Sequence, residues 1–318
     1  MDTGTIFSFI VALYASLTTC AVPPSDLPVQ QQEPTAVVAK QETQEPAVPE
    51  VQPIYDPVAT PKQPTVNAAN VGYNDKKSWW FRRNADHLPP SAQDEIAIGN
   101  YDAYYLGDTQ HKVIYLTFDE GYENGYTSKI LDILKANDVK AAFFVTKSYM
   151  QDQPELVKRM VAEGHIVGNH SVSHPNMSDL SNEQILAELN GCAAYYKELT
   201  GQEMPKYFRP PEGVYSIRSL EQTKAAGYKT IFWSFAYNDW DPKNQPGTKA
   251  AYDMVMNNYH NGSIMLLHAV SQSNTEALDQ MLKDLKAKGY VFQTLDQLPP
   301  ATSIGQLSLI HISEPTRH

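Results

Sequence analysis

VIYLTFDEGYENGYTSKILDILKAN, residues 113–137, decides the fold class. Its opening run, Val113 to Leu116, is apolar without interruption and reads as a buried strand extending through Phe118. The strand ends on two adjacent carboxylates, Asp119 and Glu120. A carboxylate at the end of a buried strand is costly to desolvate unless something pairs with it or uses it. A solvated turn, helped by Gly121, is the plain alternative, and the remainder of the chain has to decide between them. After the turn, SKILDILKAN carries the spacing of a helix.

The same unit recurs. AAFFVT (141–146) precedes PELVKRMVAEG, HIVGNH (165–170) precedes NEQILAELNGCAAYYKEL, and KYFRPP precedes SIRSLEQTKAAG. YKTIFWSFA is followed by a helix around AYDMVMNNYH, SIMLLHA by TEALDQMLKDLKAKG, and YVFQTL closes the series. Strands alternating with helices over such a length predict parallel strands with crossover helices. The expected fold is α/β: a distorted or incomplete (β/α) barrel of about seven parallel strands. No glycine-rich dinucleotide fingerprint follows the first strand, which counts against an open Rossmann sheet.

The ends of the chain differ from this domain. TIFSFIVALYASLTTCAV has the length of a signal peptide or membrane anchor, although Asp2 stands where a basic residue is expected. Cleavage, lipidation at Cys20 and retention all stay open for residues 1–21. Residues 22–72 hold ten prolines and many Gln and Glu, and are expected to form a disordered linker. The folded domain proper is assigned to 73–300, and 301–318 to a tail outside it. Within that tail, LSLIHISEPTRH (307–318) resembles the translation of a sequencing adapter. A formal net charge of −11 argues against nucleic acid, which needs a basic face. Two distant cysteines imply no disulfide framework, and Cys192 falls at helical spacing with Ile185, Leu189 and Tyr196, as a small core residue would.

In barrels of this kind chemistry gathers at the C-terminal ends of the strands. Asp119 and Glu120, His170 and His174, Arg209, Asp239 and Trp240, and His268 are all predicted to stand there. The two histidines of HSVSH (170–174) have a spacing that can hold zinc, with surface or capping roles as the alternative. Ser171 occupies the place where a HExxH metallopeptidase carries Glu, so a base must come from elsewhere, and Asp119 is the candidate. Asp119 and Glu120 are sequence neighbours and cannot flank a glycosidic bond from opposite sides, which argues against a two-carboxylate glycosidase. Arg209 near Asp119 would favour the ionised carboxylate. Asp239 bonded to His268 would stabilise an imidazolium able to act as a general acid. Trp240 with Leu266 or Leu267 would wall a small apolar pocket of acetyl size.

TFDEG, HSVSH, RPPEG, NDW and LLH, in this order, resemble the five motifs of the polysaccharide deacetylases with a NodB-homology domain, carbohydrate esterase family 4. The likeness runs from about Val113 to Leu298. WWFRRNADHLPPSA, YDAYYLGDT and GYENGYT further resemble the spore-cortex branch, the delta-lactam-biosynthetic de-N-acetylases acting on muramic acid. The resemblance implies a metal-assisted hydrolase acting as a monomer on peptidoglycan glycan strands; with the N-terminal apolar run, which favours export, the chain is expected to be extracytoplasmic and associated with the cell wall, or with the membrane through that N-terminal segment alone. By position it implies Asp119 as base, His268 as general acid, Arg209 orienting the base and Asp239 tuning the acid, with the Glu212 amide on the oxyanion. It implies His170, His174 and Glu120 as ligands of a divalent metal, zinc, and Trp240, Leu267 and Pro211 beside the substrate. Glu120 stands where the family usually has Asp. Two other functions fit the same motifs: deacetylation of other N-acetylglucosamine polymers, and glycan binding without catalysis.

Overall fold

The computed structural model describes residues 72–301 apart from 85, 94 and 95. The expected leader, the linker as far as residue 71 and the tail from residue 302 lie outside the described residues. The central sheet has eight strands, every pairing parallel: β1 (Ala103–Tyr104), β2 (Val113–Glu120), β3 (Ala142–Val145), β4 (Ile166–Asn169), β5 (Tyr207–Phe208), β6 (Lys229–Ile231), β7 (Ser263–His268) and β8 (Val291–Phe292). Seven run in the order β7-β2-β3-β4-β5-β6-β1, and β8 pairs with the start of β2.

The two edges of this sheet meet. Leu106, just past β1, bridges Ser263 at the head of β7, and Phe235, beyond β6, bridges Met265. Gly107 donates its N–H to the Gly262 carbonyl, and Leu266 to that of Phe235, each at 2.8 Å. The sheet therefore curls into a distorted barrel closed by isolated bridges, as the sequence predicted. The strand that periodicity did not reveal is β1, which lies in YDAYYLGDT and is too short to carry a pattern.

Helices cover the outside, with α1 at Thr127–Ala136, α2 at Lys147–Asp152, α3 at Pro154–Ala162, α4 at Asn182–Thr200, α5 at Ile217–Ala225, α6 at Thr248–Met256 and α7 at Gln272–Ala287. The longest, α4, starts at a Ser181–Gln184 capping box and stops at Gly201, whose φ of 73° is left-handed. Cys192 on α4 is buried in the core, as its spacing predicted.

Strand parity divides the core. Ile114, Leu116, Phe118, Phe143, Val145, Val167, Met265 and Leu267 pack outward with helix residues such as Ile130, Leu134, Leu278 and Leu282. Val113, Tyr115, Ala142, Phe144, Ile166 and Ile264 form the inner cluster. Because side chains alternate along a strand, each inner row continues to a polar residue at the upper rim. Tyr115 leads to Asp119, Ile166 to His170, and Ile264 to His268. Gly168 in the middle row has a structural reason: a Cβ there would stand 2.7 Å from the Phe144 ring. That ring in turn lies 4.3 Å beneath the Arg209 guanidinium, so the small residue fixes the floor of the rim site.

Before the barrel, Lys77–Ser78 pairs antiparallel with Val214–Tyr215, and Phe81–Arg82 with Ser91–Ala92. Trp79 stacks on Phe232 at 4.5 Å and donates its indole N–H to the Trp233 carbonyl at 2.8 Å. These contacts hold residues 79–83 at the barrel mouth.

Candidate active site

The rim residues face a cleft of about 1190 Å³ lined by Asp119, His170, His174, Glu212, His268 and the aromatic residues Trp80, Tyr122 and Trp240, among others. Pockets for small ligands measure about 300–1,000 Å³, so the cleft is of a size for more than one sugar ring.

Asp119 is held by a buried arginine. Its Oδ1 accepts from Arg209 Nη1 at 2.7 Å, while Oδ2 lies 3.7 Å from His170 Nε2 and is left to the cleft. Arg209 is fully buried and also donates from Nε to the Ile231 carbonyl at 2.9 Å. Burial alone would raise the Asp119 carboxyl. The Arg209 guanidinium, aided by His170 and His268, outweighs it and holds the group below the ordinary carboxylate range.

Directly opposite in register to Asp119, on the neighbouring strand, is His268. Its Nδ1 bonds Asp239 Oδ1 at 2.7 Å, and its backbone N–H donates to Asp239 Oδ2 at 2.9 Å. Asp239 is fully buried and is fixed further by Asn274 Nδ2, whose own Oδ1 accepts from Tyr237. Burial disfavours the imidazolium, but the Asp239 carboxylate prevails and raises the His268 pKa above its ordinary value. Sequence reading linked these two residues, and the structure brings them together.

His170 and His174 also meet, with ring centres 4.8 Å apart. His170 Nδ1 bonds the Arg209 carbonyl at 2.8 Å, so the neutral ring presents Nε2 as a lone pair. Burial keeps that ring neutral, lowering its pKa to about 4 against the opposing pull of Asp119. The loop between them is strained: Ser171 (φ 73°) and His174 (φ 57°) are both left-handed without being glycine. Glu188 of α4 fastens it. Its Oε2 accepts from the N–H groups of Val172 at 2.8 Å and Ser173 at 3.0 Å, and Oε1 from the Ser173 hydroxyl at 3.0 Å.

Glu120 is not brought to this place. It belongs to the outward row of β2, is fully buried, and neither of its carboxylate oxygens has a hydrogen-bond partner among the described residues. Burial first, then the charges of Glu123 and Asp119, raise its carboxyl well above the ordinary range. The same parity corrects Leu267, which packs outward in the core while Leu266 lines the cleft beside Trp240. Pro211 is buried at the start of the turn Pro211–Gly213, and Glu212 is the residue of that turn that reaches the cleft. A catalytic zinc takes three protein ligands. Among the described residues no group of three histidine, cysteine or carboxylate side chains is arranged to hold a metal ion. The residues present therefore supply an imidazole pair and fall short of a full ligand set.

That placement gives a test by calorimetric zinc titration. Glu120→Gln should bind zinc like the parent, whereas His170→Ala and His174→Ala should lose whatever binding the parent has. A loss of about tenfold or more on Glu120→Gln would put its carboxylate on the metal.

Several cleft residues are not assigned a site role by the sequence reading: Trp80, Arg82 and Arg83 of WWFRRNADHLPPSA and Tyr122 of GYENGYT, which figured only in the branch resemblance, and Trp233. Clustered aromatic and arginine residues in WWFRR were the available signal, since such a run on a polar segment is out of place unless it covers something.

Comparison with known proteins agrees with this geometry. The polysaccharide deacetylase family profile matches residues 106–231. The peptidoglycan-N-acetylmuramic acid deacetylase PdaA of Bacillus subtilis is 48% identical over 227 residues, covering 71% of this chain and 86% of PdaA. Its solved structure superposes with a TM-score of 0.69 over 71% of this chain and 97% of that one. A family 4 carbohydrate esterase from Bacillus anthracis is 43% identical with a TM-score of 0.59, again over 71% and 97%. A peptidoglycan-N-acetylglucosamine deacetylase of Bacillus cereus is 33% identical over 190 residues, or 59% of this chain and 88% of the relative.

Proposed function

The chain belongs to the polysaccharide deacetylases, and from that membership we propose that it hydrolyses the N-acetyl amide of peptidoglycan amino sugars, N-acetylmuramic acid above all. The observation that carries the reading is the facing pair Asp119 and His268, whose surroundings push their pKa values in opposite directions. Two titratable groups separated in this way are suited to act as base and acid at one pH.

In this reading Arg209 occupies Oδ1 of Asp119, so Oδ2 takes a proton from a water in the cleft as that water attacks the acetyl carbonyl carbon. The oxyanion that forms accepts from the Glu212 N–H. Glu212 lines the cleft with a left-handed φ of 58°, a conformation costing a non-glycine residue about 1–2 kcal/mol. Such strain held at a cleft is consistent with a backbone set in advance for a ligand. His268 then gives its proton to the amide nitrogen, the C–N bond breaks, and acetate and a free amine leave. Asp239 holds the imidazolium and its orientation throughout. Leu266 and Trp240 form an apolar wall for the acetyl methyl, and the half-exposed rings of Trp80, Tyr122 and Trp240 give flat faces on which sugar rings can stack.

Members of this family are in general metal-dependent. Zinc at His170 and His174 is supported by the nearness of the two rings and by the neutral Nε2 of His170, with Glu120 left out. The finer assignment is muramic δ-lactam formation, in which the freed amine closes on the lactyl carboxylate of its own sugar. It is supported by the resemblance of the flanking segments to that branch and by the likeness to PdaA. Such a substrate places the enzyme, as a domain of residues 73–300, outside the cytoplasm at the cell wall. No helix among the described residues is long and apolar enough to cross a membrane.

Acetate release should rise with pH as Asp119 ionises, below the ordinary carboxylate range, and fall as His268 loses its proton, above the ordinary imidazole value. Asp239→Asn removes the charge that raises His268, so the alkaline limb should move to lower pH. An alkaline limb that does not move would remove His268 as the acid. The substrate is tested by acetate release from stem-free muramic acid glycan and from chitooligosaccharide. Release from the muramic glycan is expected. Release from chitooligosaccharide alone would assign the chain to N-acetylglucosamine, and binding with no release from either would make it a glycan-binding protein.

A further inference from the structure

Apart from the catalytic pairs, the cleft contains two cations without an anion. Arg82 ends the short strand Phe81–Arg82, Arg83 follows it, and both line the cleft. Among the described residues neither forms an ion pair with a carboxylate. In a chain of net charge −11, two arginines facing a cavity without a carboxylate partner are a local reversal of sign.

Arg83 is also held in place. Its Nη2 donates to the Ala236 carbonyl, and its guanidinium lies 5.4 Å from the Phe81 ring centre and 5.8 Å from that of Phe235. The neighbouring Phe235 carbonyl accepts from Leu266 N–H, two residues before His268 on the cleft-facing row. The guanidinium is thus fixed next to the segment that bonds the strand carrying His268. One bond to a carbonyl leaves most of its planar donor fork free, and that fork matches a carboxylate.

We propose that Arg83, with Arg82 beside it, is the specificity determinant that binds the free lactyl carboxylate of N-acetylmuramic acid; this rests on the muramic reading above. The lactyl ether hangs from the ring carbon next to the one carrying the acetamido group. Its carboxylate therefore lies alongside the reacting amide, near enough to condense with the amine afterwards. When the stem is present that group is an amide, neutral and continued by peptide, and the arginines gain nothing from it. N-acetylglucosamine has only a hydroxyl at that carbon.

The test measures kcat/KM of the full chain on stem-free muramic glycan and on the same glycan with its lactyl carboxylate converted to the methylamide. The parent should prefer the free acid. Arg83→Gln should lower the free-acid to methylamide ratio about tenfold to a hundredfold, mainly through KM, as expected for loss of a charge-assisted hydrogen bond. Arg82→Gln, at an exposed position that burdens folding little, should lower it in the same direction, and Arg83→Lys should recover part of it. An unchanged ratio in both glutamine variants overturns the inference, as does a parent indifferent to the methylamide. A parent that releases acetate only from N-acetylglucosamine oligomers instead refutes the muramic reading on which the inference stands.

Discussion

Asp119→Asn should lower acetate release about a hundred- to ten-thousandfold, the usual worth of a positioned general base. The asparagine carbonyl can still accept from Arg209 Nη1 where Oδ1 now does, so the guanidinium keeps a partner and the rim its shape. What is lost is the basic Oδ2 facing the cleft. The fall should therefore lie in kcat, with KM and the circular dichroism spectrum close to the parent's. Activity within a few-fold of the parent would remove Asp119 from the reaction.

Arg209→Met should unfold the protein more readily than any other single change at the rim. Arg209 and Asp119 are a buried pair, and removing one partner of such a pair costs about 3–5 kcal/mol because the other charge is stranded. Two readouts separate this from simple loss of packing. The acid limb of the pH profile should climb, because Asp119 keeps its burial and loses the guanidinium that lowered its pKa. Adding Asp119→Asn to Arg209→Met should restore part of the stability in urea denaturation, since no stranded charge remains. A double variant no more stable than Arg209→Met would show that packing on Phe144, not the ion pair, dominates the loss.

Much of this site was legible in the sequence because strand ends and catalytic residue types coincide. Asp119, His170, Arg209, Asp239 and His268 each close an apolar run or follow it by a few residues, and the parallel order brings those ends to one rim. Strand parity separates residues that lie side by side in the sequence. Asp119 and Glu120 are consecutive on one strand, so they cannot share a face while the strand stays regular, and β2 is regular through Glu120. Counting from Ile264 by twos likewise reaches Leu266 and His268, never Leu267. Other parts were hidden for physical reasons. The strand Ala103–Tyr104 is too short for a period. The clamp of Glu188 on the His170–His174 loop, and the packing of Phe144 under Arg209, are contacts between residues far apart in the chain. The cleft wall of Trp80 to Arg83 comes from a segment whose pairing with Ser91–Ala92 and docking by Trp79 leave no periodic trace.

The most direct test is mass spectrometry of muropeptides after the full chain acts on cell walls pretreated with an N-acetylmuramoyl-L-alanine amidase. Muramic residues lacking acetyl are predicted with the parent, and none with Asp119→Asn. Acetyl groups retained on every muramic residue under the parent, or lost equally under Asp119→Asn, would contradict a muramic acid deacetylase that works through this cleft.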